Sequence, residues 1–97
     1  MIIIRTNASS SSGIGHLARC RRLGLSLKDQ GLKVFFVLDY VNEYLNDYLE
    51  GFNFSGLYSF NESFQNEEDD ALRLLGSLPY KDVIAIIVDD YRFSDIW

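Results

Sequence analysis

Three uninterrupted apolar runs punctuate the 97-residue chain. They occupy residues 1–4, Val34–Leu38 and residues 83–88, and none shows the polar alternation of a strand with one solvated face. Such runs are typical of strands buried on both faces of a parallel sheet. A shorter strand is predicted over residues 57–60, after turn-forming residues at Asn53, Ser55 and Gly56. The polar residues 5–12 are expected outside the core.

Between these runs, apolar residues recur at intervals of three and four, which predicts amphipathic helices. The first is predicted over residues 14–30, with a buried stripe made of Leu17, Cys20, Leu23, Gly24 and Leu27. The second is predicted over residues 40–49 and carries its apolar residues at Tyr44, Leu45, Tyr48 and Leu49. The third begins with the acidic residues 67–70, which suit the positive end of a helix dipole. Its predicted buried side consists of Ala71, Leu72, Leu74 and Leu75.

The resulting order of elements is β-α-β-α-β-α-β, which requires parallel pairing and right-handed crossovers. The predicted fold class is α/β, a Rossmann-like doubly wound parallel sheet, with residues 1–97 as a single domain. In the usual strand order 3-2-1-4, the first and fourth strands are neighbours. The residues that follow these two strands should then face each other across one cleft, where doubly wound sheets bind their ligands.

Composition and charge exclude several functional classes. The net charge of −5 argues against a nucleic-acid surface, which needs clustered Lys and Arg. A single cysteine excludes an internal disulfide and fits a reducing cytoplasm. No apolar run approaches the roughly 18 residues of a membrane span. We therefore expect a cytoplasmic protein that neither crosses a membrane nor binds nucleic acid.

The loop after the first strand holds the most specific candidate chemistry. Gly13, Ile14 and Gly15 lead directly into His16, the only histidine, at the start of the first predicted helix. A strand, a glycine-rich turn and a helix in this order direct backbone N–H groups toward an anion. The helix dipole disfavours a charged imidazole at this position, so His16 is a candidate catalytic base. A tight turn that binds no ligand is the alternative for the two glycines.

Polar residues at two neighbouring places complete a candidate substrate site. Arg19 lies one helical turn beyond the histidine and suits a phosphate or carboxylate, although a solvated helix face explains it equally well. Asp89, Asp90 and Tyr91 follow the strand predicted over residues 83–88. No further ligand cluster accompanies the two aspartates, so neither a metal nor a cofactor is expected.

These residues carry a resemblance to a known family. The chain resembles the N-terminal part of the UDP-sugar hydrolases of pseudaminic acid biosynthesis, which are close to spore-coat polysaccharide proteins and have the GT-B fold. The family opening, R-x-D-x-S and then G-x-G-H-x-x-R-C, is matched at Arg5, Asn7, Ser9, Gly13, Gly15, His16, Arg19 and Cys20. A second signature, a strand ending in D-H-Y before a Trp, corresponds to Val88, Asp89, Asp90, Tyr91 and Trp97. Asn7 replaces a family aspartate, and Asp90 replaces a family histidine.

The resemblance implies the N-terminal half of a GT-B architecture that hydrolyses a UDP-sugar in nonulosonic acid or surface polysaccharide biosynthesis. In this reading His16 activates water for attack at the anomeric carbon, and UDP leaves. Asn7, Arg19 and residues 13–15 and 89–91 would bind the substrate. A second, C-terminal domain or a partner chain would hold the nucleotide, so the 97 residues alone are expected to be inactive.

Two other hypotheses remain open at this point. One is a truncated or degenerate non-catalytic domain that packs against a partner or binds a ligand weakly. The other is a generic nucleotide-binding response-type domain, which fits the element order and the aspartate pair but explains the residues before His16 poorly.

Overall fold

The computed structural model describes residues 1–7, 15–58, 62, 64–77 and 82–90. The elements are β1 (Ile2–Thr6), α1 (Gly15–Asp29), β2 (Val34–Leu38), α2 (Glu43–Tyr48), β3 (Asn53–Gly56), α3 (Glu67–Ser77) and β4 (Ala85–Asp89). The strands form one parallel sheet in the order β3-β2-β1-β4. The predicted α/β class and the strand order 3-2-1-4 are therefore confirmed. None of the described helices is both long and apolar enough to cross a membrane.

β1 lies at the centre of this sheet, and its side chains alternate between two cores. Ile2 and Ile4 belong to the larger core, which α1 and α2 cover. Ile3 packs on the opposite face with Val37 of β2 and Leu74 of α3. This two-sided burial explains why the strand has no polar alternation.

β1 also extends beyond the predicted apolar run. Arg5 and Thr6 were expected outside the core, but both belong to the strand and are 0% exposed. That expectation was wrong because Arg5 has buried partners outside β1: Asp39, which directly follows β2, and Asp70 of α3. A charged side chain becomes acceptable in a core when it is paired and hydrogen-bonded.

The third strand lies four residues earlier than predicted. The supposed turn residues 53–56 form β3, which pairs with β2 from Phe35↔Asn53 to Leu38↔Gly56. Asn53 and Ser55 are exposed on this strand at the edge of the sheet, and such edges tolerate polar residues. The predicted strand residues 57 and 58 follow β3, and residues 59 and 60 lie outside the described ones.

Most of the predicted buried faces are correct in α1 and α2. In α1, Leu17, Cys20 and Gly24 are buried, whereas Leu23 is 39% exposed. In and just after α2, Leu45 and Leu49 are buried; Tyr48 is half-buried and Tyr44 is exposed. Three positions of α1 and two in or just after α2 are therefore buried against the rest of the protein.

The predicted buried face of α3 is wrong in part. Leu74 is fully buried, but Leu72 and Leu75 are 61% and 57% exposed. Asp70, one turn before Leu74, occupies the buried face instead. The helix is rotated toward Asp70 because this carboxylate bonds to Arg5 inside the protein.

β4 is the edge strand on the side of the sheet opposite β3. The continuous apolar run of residues 83–88 predicted a strand buried on both faces. Instead, Ala85 is exposed and the other four residues of β4 are half-buried. The strand is less covered than predicted because only β1 pairs with it among the described residues.

Candidate functional site

The ends of β1 and β4 meet at one place, as the predicted strand order requires. The two strands pair in register, and Thr6 stands opposite Asp89. The Thr6 hydroxyl donates to the backbone carbonyl of Asp89 at 2.9 Å. α1 begins at Gly15, so His16 lies beside the end of β4, with its Nδ1 atom 3.1 Å from Asp89 Oδ1.

Asp89 is the centre of this cluster, which comprises His16, Arg19, Cys20 and Asp89. Arg19 donates to both carboxylate oxygens, from Nε to Oδ2 at 2.9 Å and from Nη2 to Oδ1 at 2.6 Å. The Cys20 thiol donates to Oδ2 at 3.3 Å. With His16, the carboxylate has two neighbours on each oxygen, which matches its capacity of about four hydrogen bonds.

These contacts hold Asp89 in its ionised form. The Arg19 guanidinium, helped by His16 and Cys20, lowers the pKa of Asp89 from 3.8 to about 2, although partial burial opposes the shift. At neutral pH the site therefore contains a fixed negative charge beside the imidazole. Arg19, a permanent cation, and His16 both interact with this negative charge.

The neighbours of His16 decide which ring nitrogen carries the hydrogen. Nδ1 lies 3.1 Å from Asp89 Oδ1 and 3.0 Å from Arg19 Nη2. We assign the hydrogen to Nδ1, because the ionised carboxylate can only accept, whereas Arg19 Nη2 already donates to that carboxylate at 2.6 Å and does not need Nδ1 as an acceptor. Both N–H groups then point at the same oxygen. This tautomer leaves Nε2 as the basic nitrogen of a ring that is 29% exposed.

Cys20 has the environment of a core residue and not that of a nucleophile. Its side chain is buried on the sheet-facing side of α1. Burial, followed by the hydrogen bond to Asp89, raises the pKa of the thiol to about 12. The thiol therefore stays protonated at neutral pH and serves as a donor.

The other predicted site residues lie beside the cluster around Asp89 or outside the described residues. Gly15 is exposed, and a methyl group added to its Cα would meet nothing within 4 Å, so a ligand has room to approach the backbone. Asn7 and Asp90 are half-buried and follow β1 and β4, beside the cluster. The predicted residues Gly13, Ile14, Tyr91 and Trp97 lie outside the described residues.

A second group of polar residues was not predicted and lies inside the protein. Arg5 donates to Asp39 Oδ1 at 2.5 Å and to both carboxylate oxygens of Asp70, at 2.9 and 2.8 Å. The Tyr58 hydroxyl donates to Asp70 Oδ1 at 2.5 Å. We call these four residues the buried charge cluster. It joins the sheet to α3, and burial together with Asp70 raises the pKa of Tyr58 above its usual range.

One signal in the sequence pointed to the buried charge cluster. Asp70 lies four residues before Leu74, so the two share one face of α3. An acidic residue on an apolar helix face calls for a buried cation, and Arg5 at the end of an apolar strand is such a cation. The prediction treated residues 67–70 only as an acidic first turn, so it did not place Asp70 on the buried face of α3.

Neither a metal site among the described residues nor a related protein was found. Among the described residues, no group of three or more His, Cys, Asp or Glu side chains is placed to hold a metal ion. Comparison of the whole chain with protein-family models, curated proteins and solved structures gave no significant match.

Proposed function

We propose that this chain supplies the catalytic base of a sugar-nucleotide hydrolase that releases UDP from a UDP-sugar. The observation that carries the proposal is the pairing of His16 with Asp89 at the carboxyl ends of β1 and β4. In parallel α/β sheets, this edge is where ligands bind. The resemblance of residues 5–20 and 88–97 to UDP-sugar hydrolases supports the same reaction.

In this proposal His16 and Asp89 have separate tasks. Asp89 orients the ring through Nδ1–H and stabilises the imidazolium that forms during the reaction, as carboxylates do beside catalytic histidines. His16 Nε2 takes a proton from water as the oxygen attacks the anomeric carbon. The bond from that carbon to the phosphate oxygen breaks, and the electron pair leaves with UDP. Asp89 is therefore a positioning residue in this proposal and does not touch the substrate.

Arg19 limits how strongly Asp89 acts on His16. Its guanidinium donates two hydrogen bonds to the carboxylate and keeps it ionised. It also leaves less negative charge to stabilise an imidazolium. Because Arg19 is largely exposed, its outer surface remains accessible to the diphosphate of an approaching substrate.

The remaining parts of the substrate are assigned by the resemblance. Residues 13–15 would bring backbone N–H groups near the sugar or diphosphate, and Tyr91 would contact the sugar ring. The nucleotide would bind to a second domain or a partner chain. The GT-B architecture as a whole belongs to this proposal.

The test is UDP release from a UDP-sugar by the active assembly, this chain together with its nucleotide-binding domain or partner. His16→Ala should lower the turnover rate by about 10²–10⁴-fold, the usual contribution of a positioned base. Arg22→Ala, which removes an exposed side chain on the same helix, should leave the rate unchanged. Undiminished release by His16→Ala, or no release by the wild-type assembly, would contradict the proposal.

A non-catalytic role is the second candidate, and the saturated carboxylate favours it. Arg19, Cys20 and His16 together fasten α1 to β4 through Asp89. A cluster of this kind can serve only to hold a helix on an edge strand. In that case His16→Ala would lower the free energy of unfolding but would not alter any turnover.

A further inference from the structure

A second concave site lies at the same edge of the sheet as His16. Among the described residues it is lined by Tyr40, Val41, Asn42 and Tyr58, and its volume is about 440 Å³. These residues follow the carboxyl ends of β2 and β3. Two strand spacings, roughly 10 Å, separate this position from the ends of β1 and β4. We call this site the tyrosine cleft.

The two tyrosines form a rigid corner. Their ring centroids are 6.5 Å apart, and the ring planes are inclined by 50°. Tyr58 is buried and held in place by the hydrogen bond to Asp70, and the Arg73 guanidinium lies 5.1 Å from its ring centroid. Tyr40 is 36% exposed and offers its ring to solvent.

Asn42 adds a polar group to this apolar corner. Its Oδ1 atom accepts a hydrogen bond from the backbone N–H of Leu45 at 2.9 Å and so caps α2. Since that bond fixes the amide, the NH₂ group is left as the donor for a ligand. The tyrosine cleft thus offers aromatic faces and one amide donor.

The charges around the cleft favour an uncharged ligand. None of the described residues that line it is cationic. Two guanidinium groups lie near Tyr58, and both are engaged by carboxylates: Arg5 by Asp39 and Asp70, and Arg73 by Asp69 and Glu62. Among the described residues, cations that are already paired with carboxylates attract a phosphate or a carboxylate only weakly.

We propose that the tyrosine cleft binds the pyranose ring of a neutral sugar. Two rings inclined by 50° cannot both lie flat on one planar ring, which disfavours a nucleobase. A puckered pyranose presents C–H groups on one face and at its edge, so it can contact both tyrosines at once. Its hydroxyl or acetamido oxygens then accept from Asn42. The proposal concerns binding alone and does not depend on hydrolysis at His16.

The test is a titration of the ¹⁵N-labelled chain, followed by the chemical shifts of its backbone amides. The probes are N-acetylglucosamine, uridine and inorganic phosphate, each added separately. N-acetylglucosamine should shift the amides of Tyr40, Val41 and Asn42 saturably, with a Kd of about 1 mM. Uridine and phosphate should not. Saturable shifts with uridine alone, or none at these amides with the sugar, would overturn the proposal.

Three variants separate binding in the cleft from a change in folding. Tyr40→Ala should weaken sugar binding about tenfold, because it removes the exposed aromatic face. Asn42→Asp keeps the cap of α2 but replaces the amide donor, and should also weaken binding. Tyr44→Ala is the matched control, since this tyrosine is 59% exposed and lies outside the cleft. Wild-type affinity in Tyr40→Ala would refute the assignment.

The outcome is also separable from that of the proposed hydrolysis. His16→Ala should bind the sugar with unchanged affinity, because the histidine lies at the other end of the sheet edge. A chain that binds the sugar but fails to release UDP would keep the tyrosine cleft and lose the catalytic proposal. A loss of sugar binding in His16→Ala would contradict a separate site.

Discussion

Asp89 is the residue on which both ends of the chain converge. Its carboxylate contacts Arg19, His16 and Cys20 of α1. Its backbone carbonyl accepts a hydrogen bond from Thr6 of β1. A carboxylate so fully used is a poor ligand for a substrate. We therefore infer that Asp89 orients the ring of His16 and does not bind a substrate.

The pH dependence of stability provides a test of Asp89. Because its pKa falls from 3.8 to about 2 on folding, the ionised form favours the folded state. This contributes about 2 kcal/mol above pH 4, and the contribution is lost as the pH falls toward 2. We expect Asp89→Asn to lower the free energy of unfolding by about this amount at pH 7, with a smaller difference from wild type near pH 2.

Urea unfolding between pH 2 and pH 7 measures this difference. Asp29→Asn is the control, since Asp29 is an exposed carboxylate at the far end of the same helix. A difference between wild type and Asp89→Asn that stays constant over the whole pH range would count against the ion pairs of Asp89.

The buried charge cluster gives a second prediction at the scale of single residues. Tyr58→Phe removes the hydroxyl that donates to the buried carboxylate of Asp70. The loss of a donor to a buried charged group should cost about 1–3 kcal/mol of unfolding free energy. Tyr44→Phe removes an exposed hydroxyl and should change it by less than about 0.5 kcal/mol. Equal stability of the two variants in urea would contradict the buried bond.

At the scale of elements, the packing of α1 is tightest at Gly24. A Cβ added there would lie 3.0 Å from Phe52 Cε1 and 3.1 Å from Phe36 Cζ. These two rings pack edge to face, with centroids 4.9 Å apart, so each restrains the other. The absence of a side chain at this position lets α1 approach the sheet closely.

Two glycine substitutions test this packing. Gly24→Ala should destabilise the protein by about 1–3 kcal/mol through overpacking, reduced in part by the better helix propensity of alanine. Gly76→Ala has the same propensity gain, and its added methyl would meet nothing within 4 Å. It should stabilise by about 0.5–1 kcal/mol. Thermal unfolding of both variants gives the signs, and a stabilising Gly24→Ala would contradict the close contact.

The sequence predicted elements better than it predicted their faces. Continuous apolar runs located β1, β2 and β4, because burial in a sheet requires such runs whatever the partners are. The buried face of α3 could not be read from its leucines. It depends on the pairing of Arg5 with Asp70, which lie 65 positions apart in the chain. β3 was expected four residues too late because its residues, Asn-Phe-Ser-Gly, include only one large apolar side chain.

At the scale of the whole molecule, strand order determines which residues can act together. The order β3-β2-β1-β4 is the usual one on which the predicted cleft depended, and it brings residues 16 and 89 into contact. It also places β4 at an edge, where a run of apolar residues is only partly covered. The tyrosine cleft was not predicted, because the third strand was expected over residues 57–60, which placed Tyr58 within a strand and not after one.

The carboxyl ends of the strands thus carry three features with different chemistry. His16 and Asp89 form a hydrogen-bonded pair, the tyrosine cleft has aromatic faces, and the buried charge cluster underlies the strand ends between them. Their arrangement on one parallel sheet is what a ligand that extends along the strand ends would require. The central claim is that His16 does the chemistry.

Chemical rescue tests that claim most directly. In the active assembly with a UDP-sugar, His16→Ala should release UDP about 10²–10⁴-fold more slowly than wild type. Added imidazole should restore part of the rate in His16→Ala but leave the wild type unchanged, because the free base can occupy the space of the missing ring. UDP release by His16→Ala at the wild-type rate, without imidazole, would contradict the assignment of His16 as the catalytic base.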